Sequence, residues 1–339
     1  MPSAERAGTT LVLLGTGGGP LSAGARYVPG RSGPASLVTV GKRTFLVDAG
    51  PGTVRRLGQA GVSVDRLAGV FVTHAHSDHI ADLFAMFLLS NPGGTMGEFT
   101  TPVPIFGPGP SEELPTTYDG KRVPIINRER PAPGIAEFLE LQQQAFRYDI
   151  NVRNVEQSPT AVDYPALFDV REIRVPPACR ASPTNPAPRM SPFVVLDDEE
   201  VTVSATLVAH APVFPSFAFR FDTPGGSVTF SGDTGESANL VELARGTDLL
   251  VHEVVDVDHY ARTSGGSASV IDFMRRSHTT PEGVGRVAAS GARSVVLSHL
   301  LPGDPGEVTP EQWCARVASE YDGPVSVGED LATYEVGTA

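Results

Sequence analysis

The sequence GVFVTHAHSDHI, residues 69–80, carries the strongest structural signal in the chain. It begins with apolar residues that suit one buried strand, and the apolar stretch that follows up to Ser90 has the length of a helix. Between the two stand His74, His76, Asp78 and His79. Imidazoles clustered at the end of a strand are unfavourable unless a cation lies among them, and imidazole and carboxylate are ligands that suit zinc. A solvated polar loop is the alternative; the clustering favours a metal site.

Three further candidate ligands stand where predicted strands end. His210 closes VTVSATLVAH, Asp233 lies in the turn VTFSGDT, and His299 closes SVVLSH. Each alone is a weak signal, because a single histidine is more often structural. Together with the first cluster they supply seven ligand groups, and four-coordinate zinc takes three or four protein ligands. We therefore predict two zinc ions that share one carboxylate, with Mn²⁺ or Fe²⁺ as alternative metals.

Composition limits the class of protein. The chain has 339 residues, 40% of them hydrophobic, and no apolar run approaches the roughly 20 residues of a membrane span. Its cysteines, Cys179 and Cys314, are too few for a disulfide framework. These features predict a cytoplasmic protein that does not bind membranes. The net charge of −13 makes the average surface repel phosphate, so we expect no general nucleic-acid binding.

Strand patterns occupy both ends of the chain, and the middle differs. Residues 91–200 hold 17 of the 30 prolines and no histidine, with one helix predicted over 134–148. We expect this segment to be an insertion that forms a lid or a pocket wall. The two strand-rich parts, each closing with helices, predict two sheets packed face to face with helices outside. Residues 1–339 then form a single domain.

These motifs resemble those of the metallo-β-lactamase superfamily: an HxHxDH sequence, a later histidine, an aspartate in an SGDT turn and a last histidine ending a strand. The resemblance covers essentially the whole chain. It implies an α/β fold, an αβ/βα four-layer sandwich, with the Pro-rich segment inserted. It also implies the metal ligands: His74, His76 and His210 for one zinc ion, Asp78, His79 and His299 for the other, and Asp233 as the bridge.

Shorter motifs resemble the branch of this superfamily that holds arylsulfatase-like and ribonuclease Z-like members. They are GTGGG (15–19), RSGPAS (31–36), DAG (48–50), PIFGP (104–108), LVHE (250–253) and SHTT (277–280). In that branch a histidine matching His278 assists the leaving group or holds a substrate oxygen; helix capping is the alternative. Ribonuclease Z carries a tRNA-binding arm between the residues matching His210 and Asp233. Here only 22 residues separate them, with the pattern of a plain hairpin, which favours the arylsulfatase-like members.

The resemblance implies a metal-dependent hydrolase that cleaves a small ester of the aryl sulfate or phosphodiester type. Hydroxide formed at the metal centre would attack the ester, Asp78 would orient it or take its proton, and His278 would protonate the leaving oxygen. Asp48 and Glu253 are predicted to support the ligands from behind by hydrogen bonds. The alternative functions are a tRNA 3′-processing endoribonuclease of the ribonuclease Z type, or a lactonase or carboxylic ester hydrolase. A homodimer is left open.

Overall fold

Two sheets form the centre of the molecule. The computed structural model describes residues 8–19, 28–90, 101–111, 113–115, 117, 121–157, 161–263 and 268–337. In these ranges the first sheet has, in spatial order, β14 (Thr333–Val336), β1 (Thr9–Gly15), β2 (Ala35–Val40), β3 (Arg43–Val47), β4 (Leu67–Phe71), β5 (Val103–Pro108) and β6 (Phe168–Ile173). The second has β13 (Val325–Val327), β12 (Val295–Leu301), β11 (Leu249–Val255), β10 (Gly226–Phe230), β9 (Phe217–Thr223), β8 (Thr202–Leu207) and β7 (Phe193–Asp197).

Helices cover the outer faces of both sheets. The first sheet is covered by α1 (Thr53–Gln59), α2 (Ser77–Ile80), α3 (Leu83–Leu89) and α4 (Ile135–Glu156). The second is covered by α5 (Ala238–Leu243), α8 (Pro281–Ala288) and α9 (Pro310–Val317), while α6 (Val257–Thr263) and α7 (Ala268–Ser277) pack on each other. This order of helix, sheet, sheet and helix confirms the predicted αβ/βα sandwich.

Aromatic side chains fill the space between the sheets. Phe71 stacks on Phe106 at a centroid distance of 4.7 Å and meets Phe219 and Phe221 of the opposite sheet edge-on at 5.5 Å and 5.1 Å. All four rings are buried, and each contributes about 1.5–3 kcal/mol through removal from water. Since Phe71 ends β4, this packing fixes the strand that leads into the histidine cluster.

Parallel strands place the predicted ligands at one edge. The strands β3 to β6 run parallel to one another in the first sheet, as do β10 to β13 in the second. Chain segments that leave the carboxyl ends of parallel strands emerge at the same edge. The segments after β4, β8 and β10, and the end of β12, therefore meet there. The helix predicted to start at Pro281 with Thr280 as its N-cap is α8, and Thr280 accepts the Gly283 N–H.

The Pro-rich middle segment contributes to both sheets. Its strands β5 and β6 extend the first sheet, and β7 forms the far edge of the second. The predicted helix runs to Glu156 rather than Tyr148, because the Asp149–Arg153 ion pair and the hydrogen bond from Arg153 to the Leu88 carbonyl support its last turns. The lid role stays a prediction. No described helix has both the length and the apolarity needed to cross a membrane.

Candidate metal centre

The fold brings all seven predicted ligands together where the carboxyl ends of the strands meet. One group of ligand atoms within 4.8 Å of one another comes from His74, His76, His210 and Asp233. A second group, within the same limit, comes from Asp78, His79 and His299. His299 Nε2 lies 3.1 Å from Asp233 Oδ2 and 3.5 Å from Asp78 Oδ2. The carboxylate of Asp233 thus lies between the two groups, as a bridging ligand would.

The chemistry of these donor atoms fits a cation. Within the candidate ligands, four buried atoms form no hydrogen bond to any described residue: His74 Nε2, His79 Nε2, Asp233 Oδ1 and His299 Nδ1. His79 Nε2 lies 3.3 Å from Asp233 Oδ1, and His74 Nε2 lies 3.8 Å from Asp233 Oδ2. Buried polar atoms without partners cost free energy. Lone pairs that converge in this way are satisfied by a metal ion.

Asp48 holds two of the histidines from behind. Its Oδ2 accepts the Nδ1–H of His79 at 2.8 Å. It also accepts the Thr73 hydroxyl proton at 2.8 Å, so the Thr73 oxygen is left to accept the Nδ1–H of His74 at 3.1 Å. Both histidines are thereby fixed in the tautomer whose Nε2 is unprotonated and available as a ligand. Asp48 has a left-handed backbone, φ 60°, which for a residue other than glycine is held by the surrounding contacts.

His210 is oriented by a different device. Its Nδ1 donates to the backbone carbonyl of Ser277 at 2.8 Å, which leaves Nε2 free of a proton. Ser277 is the last residue of α7, where helix carbonyls lack intrahelical partners. The carboxyl end of α7 thus positions His210, a candidate ligand that follows a strand of the second sheet.

The pKa values of the buried ligands are strongly shifted by burial and by one another's charges. Burial alone would lower the pKa of His79, but Asp233 and Asp48 raise it to about 10. Burial would raise the pKa of Asp233, yet His299 and His79 hold it well below its usual range. His210, where burial dominates, has its pKa lowered to about 3. The carboxylates therefore require nearby positive charge, which divalent ions would supply in place of imidazolium protons.

A glutamate–histidine pair lies beside the ligands. Glu253 comes from β11 and His278 from the turn between α7 and α8, and Nδ1 of His278 donates to Glu253 Oε2 at 3.0 Å. Burial alone would lower the pKa of His278, but the Glu253 carboxylate raises it above its ordinary value. The His278 ring lies between those of His210 and His299, with centroids 5.1 Å and 5.8 Å away. A ligand atom of His278 also lies within 4.8 Å of ligand atoms of Asp233 and His299.

The glycine loop after β1 passes directly over one ligand. A Cβ atom on Gly18 would lie 2.6 Å from Nδ1 of His299, so only glycine fits there. The Gly19 N–H points to Nε2 of His299 at 3.4 Å. This loop packs against the site, and His299 itself has φ 46°.

An open cavity of about 750 Å³ adjoins the first ligand group. His76 lies in its wall, together with aromatic and proline side chains from separate parts of the chain, among them Phe138, Phe214 and Phe273. A volume of this size is within the range of about 300–1,000 Å³ that small groups occupy in proteins. The site therefore has a ready space for a part of a substrate.

Two residues that position the candidate ligands were not predicted from the sequence. Thr73 immediately precedes His74, and a hydroxyl residue before a ligand histidine was the available signal. Ser277 acts through its backbone carbonyl, which no side-chain pattern reveals. The two histidines outside the predicted ligand set are elsewhere: His252 is buried in β11, and His259 pairs with Glu307 at 2.8 Å.

Comparison with known proteins agrees with this geometry. A sequence model described as "Metallo-beta-lactamase superfamily" matches residues 28–139. A ribonuclease Z of Mycobacterium bovis is 31% identical over 327 residues, covering 96% of this chain and 98% of that one. A ribonuclease Z of Mycobacterium tuberculosis is 29% identical over 327 residues, 96% of this chain and 97% of that one.

Solved structures show the same fold at lower identity. The human short-form tRNase Z has a TM-score of 0.59 at 20% identity, covering 96% of this chain and 99% of that chain. The metallo-beta-lactamase fold protein YhfI of Bacillus subtilis has a TM-score of 0.60 at 17% identity, covering 97% and 99%. These likenesses concern the fold alone.

The comparisons correct one expectation. We expected a small-molecule ester as partner and no nucleic-acid binding, and this is wrong, because the relatives at about 30% identity are ribonucleases. They do not support an arylsulfatase-like enzyme either. The physical reason is that a net charge of −13 averages the whole surface, whereas binding depends on the local field around the site.

Proposed function

The chain belongs to the metallo-β-lactamase superfamily, in its ribonuclease Z-like branch, and on this premise we propose that it is a metal-dependent endoribonuclease that processes the 3′ end of tRNA precursors. The observation that carries the proposal is the 31% identity to a ribonuclease Z over 96% of this chain. The convergence of seven ligand groups with a glutamate–histidine pair supports it, because the same site holds the parts that phosphodiester cleavage needs.

We assign the metal ligands as the sequence predicts. His74, His76 and His210 would hold one ion, Asp78, His79 and His299 the other, and Asp233 would contact both. Two divalent ions held in this way would supply Lewis acidity toward a phosphodiester and would lower the pKa of a water molecule to near 7. Zinc suits the imidazole and carboxylate donors, with Mn²⁺ or Fe²⁺ as alternatives.

The protein's own groups handle orientation and protons. The Asp78 carboxylate is buried at the amino end of α2 and faces His299, so it can orient the attacking water through an accepted hydrogen bond. His278 holds a proton on Nδ1 toward Glu253. Its Nε2 would donate a second proton to the leaving 3′ oxygen, with the Glu253 carboxylate stabilising the imidazolium that does so.

The hairpin between His210 and Asp233 does not argue against this function. In the structure β9 and β10 pair directly through a short turn, and no arm extends from them. The alignment with the Mycobacterium bovis ribonuclease Z covers almost all of both chains. The two proteins are therefore close in length, which leaves little room for a long arm in only one of them.

The test is a side-by-side hydrolysis assay on protein loaded with Zn²⁺. The substrates are a tRNA precursor with a 3′ trailer, an aryl sulfate and a lactone, and Asp78→Ala serves as the inactive control. We expect endonucleolytic cleavage of the precursor at one position next to the mature 3′ end, absent in Asp78→Ala. Turnover of the aryl sulfate or the lactone with an intact precursor would overturn the proposal.

A further inference from the structure

A loop that is closed at its base by a backbone bridge forms part of the wall of the cavity beside the candidate metal centre. The structure describes its residues 111, 113–115, 117 and 121–132, and an antiparallel bridge closes its base, where the Ser111 N–H donates to the Ala132 carbonyl at 3.0 Å. Ser111, Thr117, Pro131 and Ala132 all lie in the cavity wall. The Thr117 hydroxyl donates to the Lys121 carbonyl at 2.7 Å, so the segment 121–130 lies next to this wall.

The outer part of this loop is basic in an acidic protein. The sequence KRVPIINRER, residues 121–130, holds four basic side chains and one acidic one, a net charge of +3 within a chain of −13. Its basic residues, Lys121, Arg122, Arg128 and Arg130, are all exposed. Arg130 is paired with Glu137 at 2.7 Å. Arg128 donates to the Val123 carbonyl at 3.1 Å, which holds the loop in shape while the guanidinium stays at the surface.

The cavity at the base of the loop has the opposite character. Its described lining includes no lysine or arginine, and is formed largely by proline, phenylalanine and aliphatic side chains. Phe138 and Phe214 are only partly buried, so their rings are available for stacking. A phosphate would find no cation in this cavity, whereas a flat apolar group would be removed from water there.

We infer that the loop Ser111–Ala132 binds the single-stranded 3′ trailer of the RNA substrate: the basic segment 121–130 contacts its phosphates, and the cavity takes one unstacked base next to the scissile phosphate. This inference rests on the proposed function. Proteins that bind single-stranded nucleic acid combine cationic side chains with apolar surfaces on which bases stack. Here the two features are continuous with each other, and His76 connects the cavity to the metal centre.

This placement gives the loop the role of an RNA contact that the short β9–β10 hairpin does not offer. The bridge between Ser111 and Ala132 keeps the basic segment beside the cavity. An acidic peptide would match the basic segment but would not use a base-sized apolar cavity, so RNA is the occupant that explains both features.

The first experiment measures affinity. A fluorescent tRNA precursor is titrated with Zn²⁺-loaded protein in an Asp78→Ala background, which prevents cleavage, over a range of salt concentrations. The test variant is Arg122→Glu/Arg128→Glu. The matched control, Arg66→Glu/Arg245→Glu, changes the charge equally at exposed residues that precede β4 and β11, on the opposite edge of the sheets.

We expect the test variant to bind the precursor at least tenfold more weakly. The slope of log K against log salt concentration should fall by about 1.4 in magnitude, because two single-strand phosphate contacts are lost. The control should match the parent protein. The midpoint of thermal unfolding should be the same in all three proteins, which shows that the variant is folded. Equal affinity and equal slope in test and control variants would overturn the inference.

The second experiment changes the RNA instead of the protein. A precursor with an abasic nucleotide immediately 3′ of the cleavage position should bind about tenfold more weakly than the parent RNA. An abasic nucleotide several positions further along the trailer is the control and should bind normally. If both abasic RNAs bind as tightly as the parent RNA, and an oligoglutamate peptide displaces all three RNAs equally, the inference is overturned in favour of a general anion surface.

The outcomes separate the inference from the proposed function. If the parent protein cleaves the precursor but the charge reversal leaves affinity unchanged, the inference fails and the function stands. If the parent protein binds the trailer through Arg122 and Arg128 but does not cleave the precursor, the function fails and the loop remains an RNA-binding element. If it neither binds nor cleaves the precursor, both are overturned.

Discussion

At the scale of single residues, three of the candidate ligand histidines depend on a partner that fixes the ring. The contact of Asp48 with His79, and with His74 through Thr73, is an example. Such partners choose which nitrogen is free for a metal ion. His278 differs from these ligands because its partner is the Glu253 carboxylate. This carboxylate would stabilise a protonated His278 ring and so suit it to proton transfer.

We expect His278→Ala to keep its metal ions and to lose turnover. The predicted fall in kcat on the tRNA precursor is about 10²–10⁴-fold, the usual contribution of a positioned general acid. Metal content by mass spectrometry and kcat by gel assay check both parts. His259→Ala, at the surface pair with Glu307, is the control and should retain full activity. Unchanged turnover in His278→Ala would remove this residue from the mechanism.

Glu253→Gln adds a test of the pair itself. The glutamine can still contact Nδ1, but it no longer stabilises the protonated ring, so the alkaline limb of the pH–rate profile should move to lower pH. A purely structural role for Glu253 would change the yield of folded protein without moving this limb.

A second residue-scale prediction concerns His252. Burial lowers its pKa to about 4, against a slight rise from its hydrogen bond to the Glu253 carbonyl and from Glu236. The folded protein thus keeps His252 neutral while the unfolded chain, with a pKa near 6.5, takes up a proton. Its contribution to stability is complete above pH 6.5 and is lost as the pH falls toward 4.

The substitution His252→Asn isolates this contribution. The amide nitrogen can still donate to the Glu253 carbonyl, but nothing titrates. Between pH 7 and pH 5, the free energy of unfolding should fall by about 2 kcal/mol more in the parent protein than in the variant. Urea unfolding at both pH values, with metal held constant, measures the difference. An equal fall in both proteins would contradict the prediction.

At the scale of elements, the short helix α2 is positioned by a close approach of backbones. A Cβ atom on Gly50 would overlap the Asp78 carbonyl oxygen and would lie 2.7 Å from the Gly33 carbonyl carbon. Backbone atoms cannot move aside as a flexible side chain can. The loop after β3 therefore sets the place of α2, and with it the Asp78 side chain.

We expect Gly50→Ala to lower both stability and metal content. The matched control is Gly58→Ala in α1, where a Cβ atom would have nothing within 4 Å. An alanine at that helical position should raise stability by up to about 1 kcal/mol. Thermal unfolding and metal analysis of the two variants test this contrast; a Gly50→Ala protein with normal metal content would show that α2 is not placed by this contact.

At the scale of the whole molecule, the metal centre joins the two sheets. His74, His76, Asp78 and His79 follow β4 of the first sheet, while His210, Asp233 and His299 belong to the second. Bound ions would therefore clamp the halves in addition to the aromatic core between them. Ligands that bind only the folded state stabilise it, by about 2.7 kcal/mol at a free concentration of 100 times Kd.

Removal of metal should consequently lower the midpoint of thermal unfolding. We expect a fall of several degrees after chelation and full recovery on adding Zn²⁺, measured by calorimetry. The Asp233→Asn variant should show a smaller response because its shared carboxylate is weakened. A midpoint that is insensitive to chelator in the parent protein would show that the sheets are not coupled through the site.

The convergence of the seven candidate ligands was predictable from the chain alone, and the motifs they belong to indicated the four-layer fold and the branch. The reason is that His74 to His79 form one local motif, and that His210, Asp233 and His299 each mark the end of a recognisable strand. Residue type and strand-end position suffice for that conclusion, since the ends of parallel strands meet at one edge. Net charge and hairpin length, by contrast, gave a wrong expectation about the substrate.

Only the tertiary structure decided how those residues work together. Asp48 meets His79 across 31 positions of sequence, and Glu253 meets His278 across 25. The basic loop stands beside the apolar cavity because Ser111 pairs with Ala132. Such contacts depend on packing and on the path of the backbone between elements, which residue patterns along one chain do not encode locally. The sequence therefore indicated the chemistry of the site, while the orientation of its side chains and the cavity beside them became visible only in the folded molecule.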